Sequence, residues 1–185
     1  AIGYAEEVKK NVEFGIIRNH YVGRTFIEPS QQIRSLGVKL KHSTNKSLIK
    51  NKSLVLIDDS LVRGTTSVKI IKMLFESGAK EVHLRIASPP IKYPDYYGVD
   101  TPDKQELLAY KFDIEGMRKF INATTLNFLS IEGLYKSLGF EKRNKNYPQF
   151  TDHCFTGEYP VKPIDANQKD FFENQLSFMS SKLKN

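Results

Sequence analysis

The sequence predicts an α/β fold, a mostly parallel sheet flanked by helices on both faces. Three observations predict it. Residues 54–57 form a short apolar run of the kind found in buried parallel strands, and residues 67–77 then repeat apolar side chains at helical spacing. Residues 81–88 alternate apolar and polar, and further helical patterns follow them. Finally, the first of these strands runs into Asp58 and Asp59 and then a glycine-hydroxyl loop, at the strand end where open α/β sheets bind ligands.

Along the chain, residues 14–17 read as a short strand. The polar stretch from Asn19 to about Leu36 is too long for a simple connection and reads as a functional lid. Residues 39–41 form a further candidate strand, and Lys50-Asn51-Lys52-Ser53 is a turn before the apolar run. The helix over 67–77 places Val68, Ile70, Ile71, Met73, Leu74 and Phe75 in register for a core face and stops at Gly78. In the strand over 81–88, Val82, Leu84 and Ile86 face inward, while His83 and Arg85 fall on the polar side, where a histidine is expected to be solvated. Pro89, Pro90 and Pro94 force an irregular loop, after which 104–110, 114–121 and 131–138 read as helices around a strand at 127–129. Residues 167–184 form an amphipathic tail helix, expected to dock on its own domain. One domain over 1–185 accommodates all of this, with no internal repeat.

The run from Val55 to Ser67 carries chemistry. Gly64 lets the backbone approach an anion closely, Thr65, Thr66 and Ser67 offer hydroxyl donors, and the helix that follows directs its free N–H groups at the loop. A monophosphate suits that cradle. Asp58 and Asp59 would repel it and suit ribose hydroxyls, a divalent cation or a cationic transition state. Paired acids after a strand are equally the mark of a capped turn. The unbroken order of strand, Asp58-Asp59, Arg63-Gly64-Thr65-Thr66 and helix is more specific, and it resembles the phosphoribosyl pyrophosphate (PRPP) motif of type I phosphoribosyltransferases.

The flanks narrow the resemblance. Asn19-His20-Tyr21-Val22-Gly23-Arg24-Thr25-Phe26-Ile27, Ala87-Ser88-Pro89-Pro90-Ile91, Tyr97-Gly98-Val99-Asp100-Thr101-Pro102 and Cys154-Phe155-Thr156-Gly157-Glu158-Tyr159-Pro160 are similar to the glutamine phosphoribosylpyrophosphate amidotransferase family. The resemblance covers nearly the whole chain in order. It implies a type I phosphoribosyltransferase fold that lacks its N-terminal part, because the chain starts within what resembles that domain's first helix, over residues 1 to about 11, without the glutaminase or the Pro-Asp-Ser-Gly loop before it.

The activity so implied is the formation of phosphoribosylamine and pyrophosphate from PRPP and ammonia, in purine synthesis. Asp58 and Asp59 would hold the ribose and Mg²⁺; Arg63, Gly64, Thr65, Thr66 and Ser67 would anchor the 5-phosphate. Arg24 and Lys39 would assist pyrophosphate departure, and Tyr21 and Phe26 would wall the closed lid. Purine nucleotide inhibitors and a homo-oligomer are further implied partners. Two expectations follow: a transferase portion that uses free ammonia, or a PRPP-binding module without turnover.

Composition bounds these readings. The chain has 185 residues, 39% hydrophobic, with a formal charge of +7. The basic residues are scattered apart from modest clusters at 39–52 and 141–145, without the interleaved aromatics of a single-strand binder, so small anions are preferred over nucleic acid. No stretch has the length and hydropathy of a membrane span, and a cytoplasmic protein is expected. Cys154 is the only cysteine, so no intrachain disulfide forms. Some members of the resembled family carry an iron–sulfur cluster; at the matching places this chain has Asp95 and Thr151 and retains only Cys154, which predicts no cluster. His153 is expected at the surface.

Overall fold

The computed structural model describes residues 1–18, 42–99, 101, 103–146 and 148–161. The candidate lid, the candidate strand at 39–41 and the tail helix at 167–184 lie outside the described residues, as do Tyr21, Arg24, Phe26 and Lys39.

Helix α1 spans Ile2–Glu7 and is shorter than the sequence suggested. It stops because Lys9 adopts φ 52°, a left-handed conformation that no helix continues through. Strand β1 (Ile16–Arg18) pairs antiparallel with β2 (His42–Thr44), and the turn-length helix α2 (Lys46–Ile49) follows, capped by the Asn45 side chain. Neither β2 nor α2 was legible as a pattern, since each is too short to complete a period.

The centre is a three-stranded parallel sheet in the order β3 (Ser53–Asp58), β4 (Glu81–Ile86), β5 (Thr125–Phe128). Helix α3 (Thr65–Glu76) links β3 to β4. Between β4 and β5 lie a 3₁₀ turn (Lys104–Glu106), α4 (Leu108–Lys111) and α5 (Ile114–Ile121); after β5 come α6 (Ile131–Ser137) and α7 (His153–Thr156). The single helix expected over 104–110 is therefore two short pieces, broken at Leu107, whose ψ of 122° is extended. The last strand begins at Thr125, two residues before the expected 127–129, because its polar residues Thr125 and Asn127 occupy the less apolar face.

Alternation in β4 decides the packing. Val82, Leu84 and Ile86 are buried and meet Ile71 and Leu74 of α3, Leu126 of β5, and Met117 and Ile121 of α5 in one cluster with Leu61 and Leu108. Full burial of each such side chain stabilises by roughly 1.5–3 kcal/mol. The other sheet face carries a polar row instead. His83 Nδ1 lies 2.9 Å from Thr125 Oγ1 and its Nε2 3.1 Å from Ser53 Oγ, while Arg85 donates to Thr125 Oγ1 at 2.9 Å. Thus His83 is held between two neighbouring strands, with its side chain only 22% exposed, instead of standing free in solvent.

Candidate functional site

Parallel register brings the carboxyl ends of all three strands to one edge: Asp58 lies opposite Ile86, and Ile86 opposite Phe128. Asp58 is the last residue of β3, and its carbonyl accepts from the N–H of Ala87 at 2.9 Å. Its side chain turns back on the chain, Oδ1 accepting from the Asp59 N–H at 3.0 Å. Asp59 is exposed, with Oδ1 accepting from the Ser60 hydroxyl at 3.0 Å. The two carboxylates therefore stand at successive positions on the edge where the parallel strands end.

The loop from Asp59 to Gly64 is pinned at two points. Leu61 is 2% exposed within the core, and the carbonyl of Val62 accepts from Leu108 N–H at 2.8 Å. Gly64 then adopts φ +76°, and a Cβ there would lie 2.9 Å from Cδ2 of Leu108 and 3.3 Å from Cε1 of Phe120. Only glycine satisfies both the backbone and the space.

Helix α3 starts at Thr65, two residues earlier than the pattern indicated, with Gly64 as its cap residue and no side-chain cap. The first backbone bond of the helix runs from Val68 N–H to Gly64 carbonyl at 2.9 Å, which leaves the N–H groups of Thr65, Thr66 and Ser67 without helical acceptors. Thr65 and Thr66 are exposed and Ser67 is buried. Such an uncapped start favours an anion through its free donors and the helix dipole. Arg63 behaves differently from its neighbours: its Nε donates to Glu106 Oε2 at 2.5 Å, so its guanidinium is directed toward the 3₁₀ turn.

The structure thus brings Asp58, Asp59, Arg63, Gly64, Thr65, Thr66 and Ser67 together on one strand–turn–helix. Tyr21, Arg24 and Lys39 lie outside the described residues, so the pairing of this turn with the lid rests on sequence. Glu106, which holds Arg63, had no signal of its own, because a charged residue near a helix start is ordinary.

A second polar cluster lies where the proline-rich loop meets α7. The His153 ring is 3% exposed and its Nε2 lies 2.8 Å from Asp95 Oδ2, itself 8% exposed as a side chain. The expectation of a surface histidine is therefore corrected: α7 turns the ring inward, among Tyr97 and Tyr159, whose ring centroids are 5.0 and 4.8 Å from it. Cys154 Sγ lies 3.6 Å from the same Asp95 oxygen. Burial disfavours the Asp95 charge, yet the N–H groups of Tyr97 and Val99 and the His153 ring together hold its carboxyl below the usual range. Burial, and then the Asp95 charge, push the Cys154 thiol up to about 11, so it is a neutral thiol near neutral pH.

An iron–sulfur cluster does not fit this donor set, since such clusters are held by cysteine thiolates and the chain has one cysteine. Beside it, Asp152 is 4% exposed and accepts from Arg143 Nε at 2.5 Å, Arg143 Nη2 at 3.1 Å and the Tyr135 hydroxyl at 2.9 Å. Burial opposes the Asp152 charge, but Arg143 and Tyr135 outweigh it and hold the carboxyl below its ordinary value.

No family model matches the chain. The chain is 58% identical over 182 residues to the amidophosphoribosyltransferase of Rhizobium etli, covering 98% of this chain and 36% of that protein. It is 49% identical over 162 residues to the amidophosphoribosyltransferase of Bacillus subtilis, covering 88% and 34%, and 50% identical over 180 residues to the chloroplastic amidophosphoribosyltransferase 1 of Arabidopsis thaliana, covering 95% and 31%. Among solved structures, the glutamine PRPP amidotransferase of B. subtilis complexed with ADP and GMP superposes with a TM-score of 0.75 at 49% identity, over 88% of this chain and 35% of that one. The chain spans about a third of the length of the curated relatives it matches. No helix among the described residues is long and apolar enough to cross a membrane.

Proposed function

From a chain that is a homologue of the amidophosphoribosyltransferases, over about a third of their length, we propose that it forms the PRPP-binding transferase portion of such an enzyme, joining ammonia to PRPP to give 5-phosphoribosylamine and pyrophosphate in purine synthesis. The observation that carries the reading is the turn from Asp58 to Ser67, which presents two carboxylates at a strand end and, at a helix start, three backbone donors without an acceptor among the described residues.

Departure of pyrophosphate leaves positive charge on the anomeric carbon and ring oxygen of the ribose. Asp58 and Asp59 stabilise that charge and accept from the ribose hydroxyls. The N–H groups of Thr65, Thr66 and Ser67, with their hydroxyls, hold the 5-phosphate, and Gly64, packed against Leu108 and Phe120, fixes the turn that carries them. Anchoring the remote phosphate fixes the reactive carbon in place. Arg63 contributes its backbone to the cradle while its guanidinium pairs with Glu106.

The exposed Asp59 carboxylate beside Asp58 suits Mg²⁺, which binds one or two carboxylates plus substrate oxygens. Bound there, Mg²⁺ would neutralise charge on the leaving pyrophosphate. Arg24 of the lid and Lys39 beyond it add positive charge, and Tyr21 walls the site; these roles rest on sequence alone. Regulation by purine nucleotides is part of the proposal, in keeping with the ADP and GMP bound to the B. subtilis relative, as is assembly into a homo-oligomer. The reading keeps the cytoplasmic location expected from sequence, although a plant relative carries a chloroplastic name.

The test is pyrophosphate release from PRPP and Mg²⁺ on addition of an ammonium salt at mildly alkaline pH. Ammonium-dependent release supports the transferase reading; PRPP binding without release reduces the chain to a binding module.

A further inference from the structure

The geometry points to a site for one borderline divalent cation of the zinc type, held by Asp95 Oδ2, His153 Nε2 and Cys154 Sγ. These three ligand atoms all lie within 4.8 Å of one another, an oxygen, a nitrogen and a sulfur from two separate segments of the chain. The nitrogen and the sulfur both converge on the same carboxylate oxygen, at 2.8 and 3.6 Å. Zinc bonds of about 2.0–2.3 Å separate tetrahedral ligands by roughly 3.3–3.6 Å, so the nitrogen–oxygen contact widens by about half an ångström, the sulfur–oxygen contact is already of that length, and the widest of the three separations, within 4.8 Å, draws in.

The scaffold is already arranged for it. Lys92 and Tyr93 N–H groups both donate to the Cys154 carbonyl, at 2.9 and 3.1 Å, and the Tyr159 hydroxyl donates to the Pro94 carbonyl at 2.8 Å. These bonds fasten the loop bearing Asp95 to the helix bearing His153 and Cys154 without using any ligand atom. Gly157 allows the approach: at φ +77° its Cβ would lie 2.8 Å from Cζ of Tyr93. The backbone N–H groups of Tyr97 and Val99 donate to the other Asp95 oxygen, Oδ1, and orient the carboxylate with Oδ2 toward the helix. Against the acceptor-only Asp95 carboxylate Nε2 carries the ring's proton, and Nδ1 has no partner among the described residues, so a cation that takes the Nε2 lone pair does so by shifting that proton to Nδ1 without displacing another bond.

Three mixed ligands leave a fourth position for water, and an imidazole–thiolate–carboxylate set suits zinc better than magnesium or calcium. On binding, the thiol gives its proton to solvent and the imidazole carries its proton on Nδ1. The site uses none of residues 58–67, and it differs from an iron–sulfur centre in holding one ion through one sulfur.

Titration of the chelator-treated full chain with Co²⁺, followed by Zn²⁺, tests this directly. The expected result is one Co²⁺ per chain with a thiolate-to-cobalt charge-transfer band in the near ultraviolet, displaced by Zn²⁺. The band is lost in the near-isosteric Cys154→Ser, and Asp95→Asn or His153→Gln weakens binding by about tenfold or more, the loss that even an outer-shell change produces. The unsubstituted chain, folded by circular dichroism but giving no such band, overturns the site whatever the variants do; so does a band that survives Cys154→Ser.

Discussion

A side-chain carbon on Gly64 would stand 2.9 Å from Cδ2 of Leu108, so the start of α3 is locked against a helix that follows the first crossover. The turn is positioned by the hydrophobic core, through Leu61, Leu108 and Ile121, as much as by its own sequence. Gly64→Ala therefore both strains the backbone at φ +76° and displaces Leu108. The expected cost is about 1–3 kcal/mol for the strained backbone alone, measured by chemical denaturation, with PRPP affinity falling in parallel. An alanine variant as stable as the parent would show that the turn tolerates a Cβ.

The carboxylate pair makes a separable prediction. Asp58→Asn with Asp59→Asn removes the negative charge near the developing cation while leaving the helix start intact. Turnover in a form that is active beforehand drops at least about a hundredfold, the scale of losing a transition-state electrostatic contact. Unchanged turnover in pyrophosphate-release assays would remove both residues from the mechanism.

Arg63 and Glu106 are both about half exposed, so their ion pair contributes little to stability. Glu106→Gln is expected to leave the thermal midpoint nearly unchanged and to raise affinity for inorganic phosphate or PRPP, because the guanidinium is freed beside the cradle. Calorimetry on the variant checks this; weaker binding would mean that the pair itself orders the loop.

Asp152 sets an acid limit on the fold. Its folded-state pKa is depressed below the ordinary value of 3.8, with Arg143 and Tyr135 outweighing burial, so its stabilisation is present above that value and is lost as pH falls through the folded pKa. Asp152→Asn should be destabilised at neutral pH, and its deficit relative to the parent should narrow only below about pH 4. Arg143→Ala, which strands a carboxylate that is 4% exposed, should cost about 3–5 kcal/mol at neutral pH. Thermal midpoints across pH 2–7 decide both, and a deficit that stays constant down to pH 2 would contradict the assignment.

Sequence carried the centre of this fold well where periods were complete. The alternation Val82, Leu84, Ile86 gave β4, and the helix over 114–121 emerged with its expected bounds because Asp113 caps it and its apolar stripe spans two turns. The paired acids and Gly64 were legible for the same reason: their order along the chain is also their order in space. What was hidden depends on contacts between distant segments. The burial of His153 is set by Asp95, 58 residues away, and the pairing of Arg63 by Glu106, 43 residues away. Nothing local distinguishes such residues from surface ones. Leu107 broke the expected helix through its extended backbone, which lets the first turn of α4 pack beneath Gly64.

The proposed function depends first on PRPP binding by the turn from Asp58 to Ser67. Calorimetric titration of the 185-residue chain with PRPP and Mg²⁺ tests it most directly, with the Asp58→Asn, Asp59→Asn double variant and Gly64→Ala alongside. Saturable binding by the parent, weakened in both variants, is the expected result. No binding by a folded parent chain, or binding that neither variant changes, would contradict it.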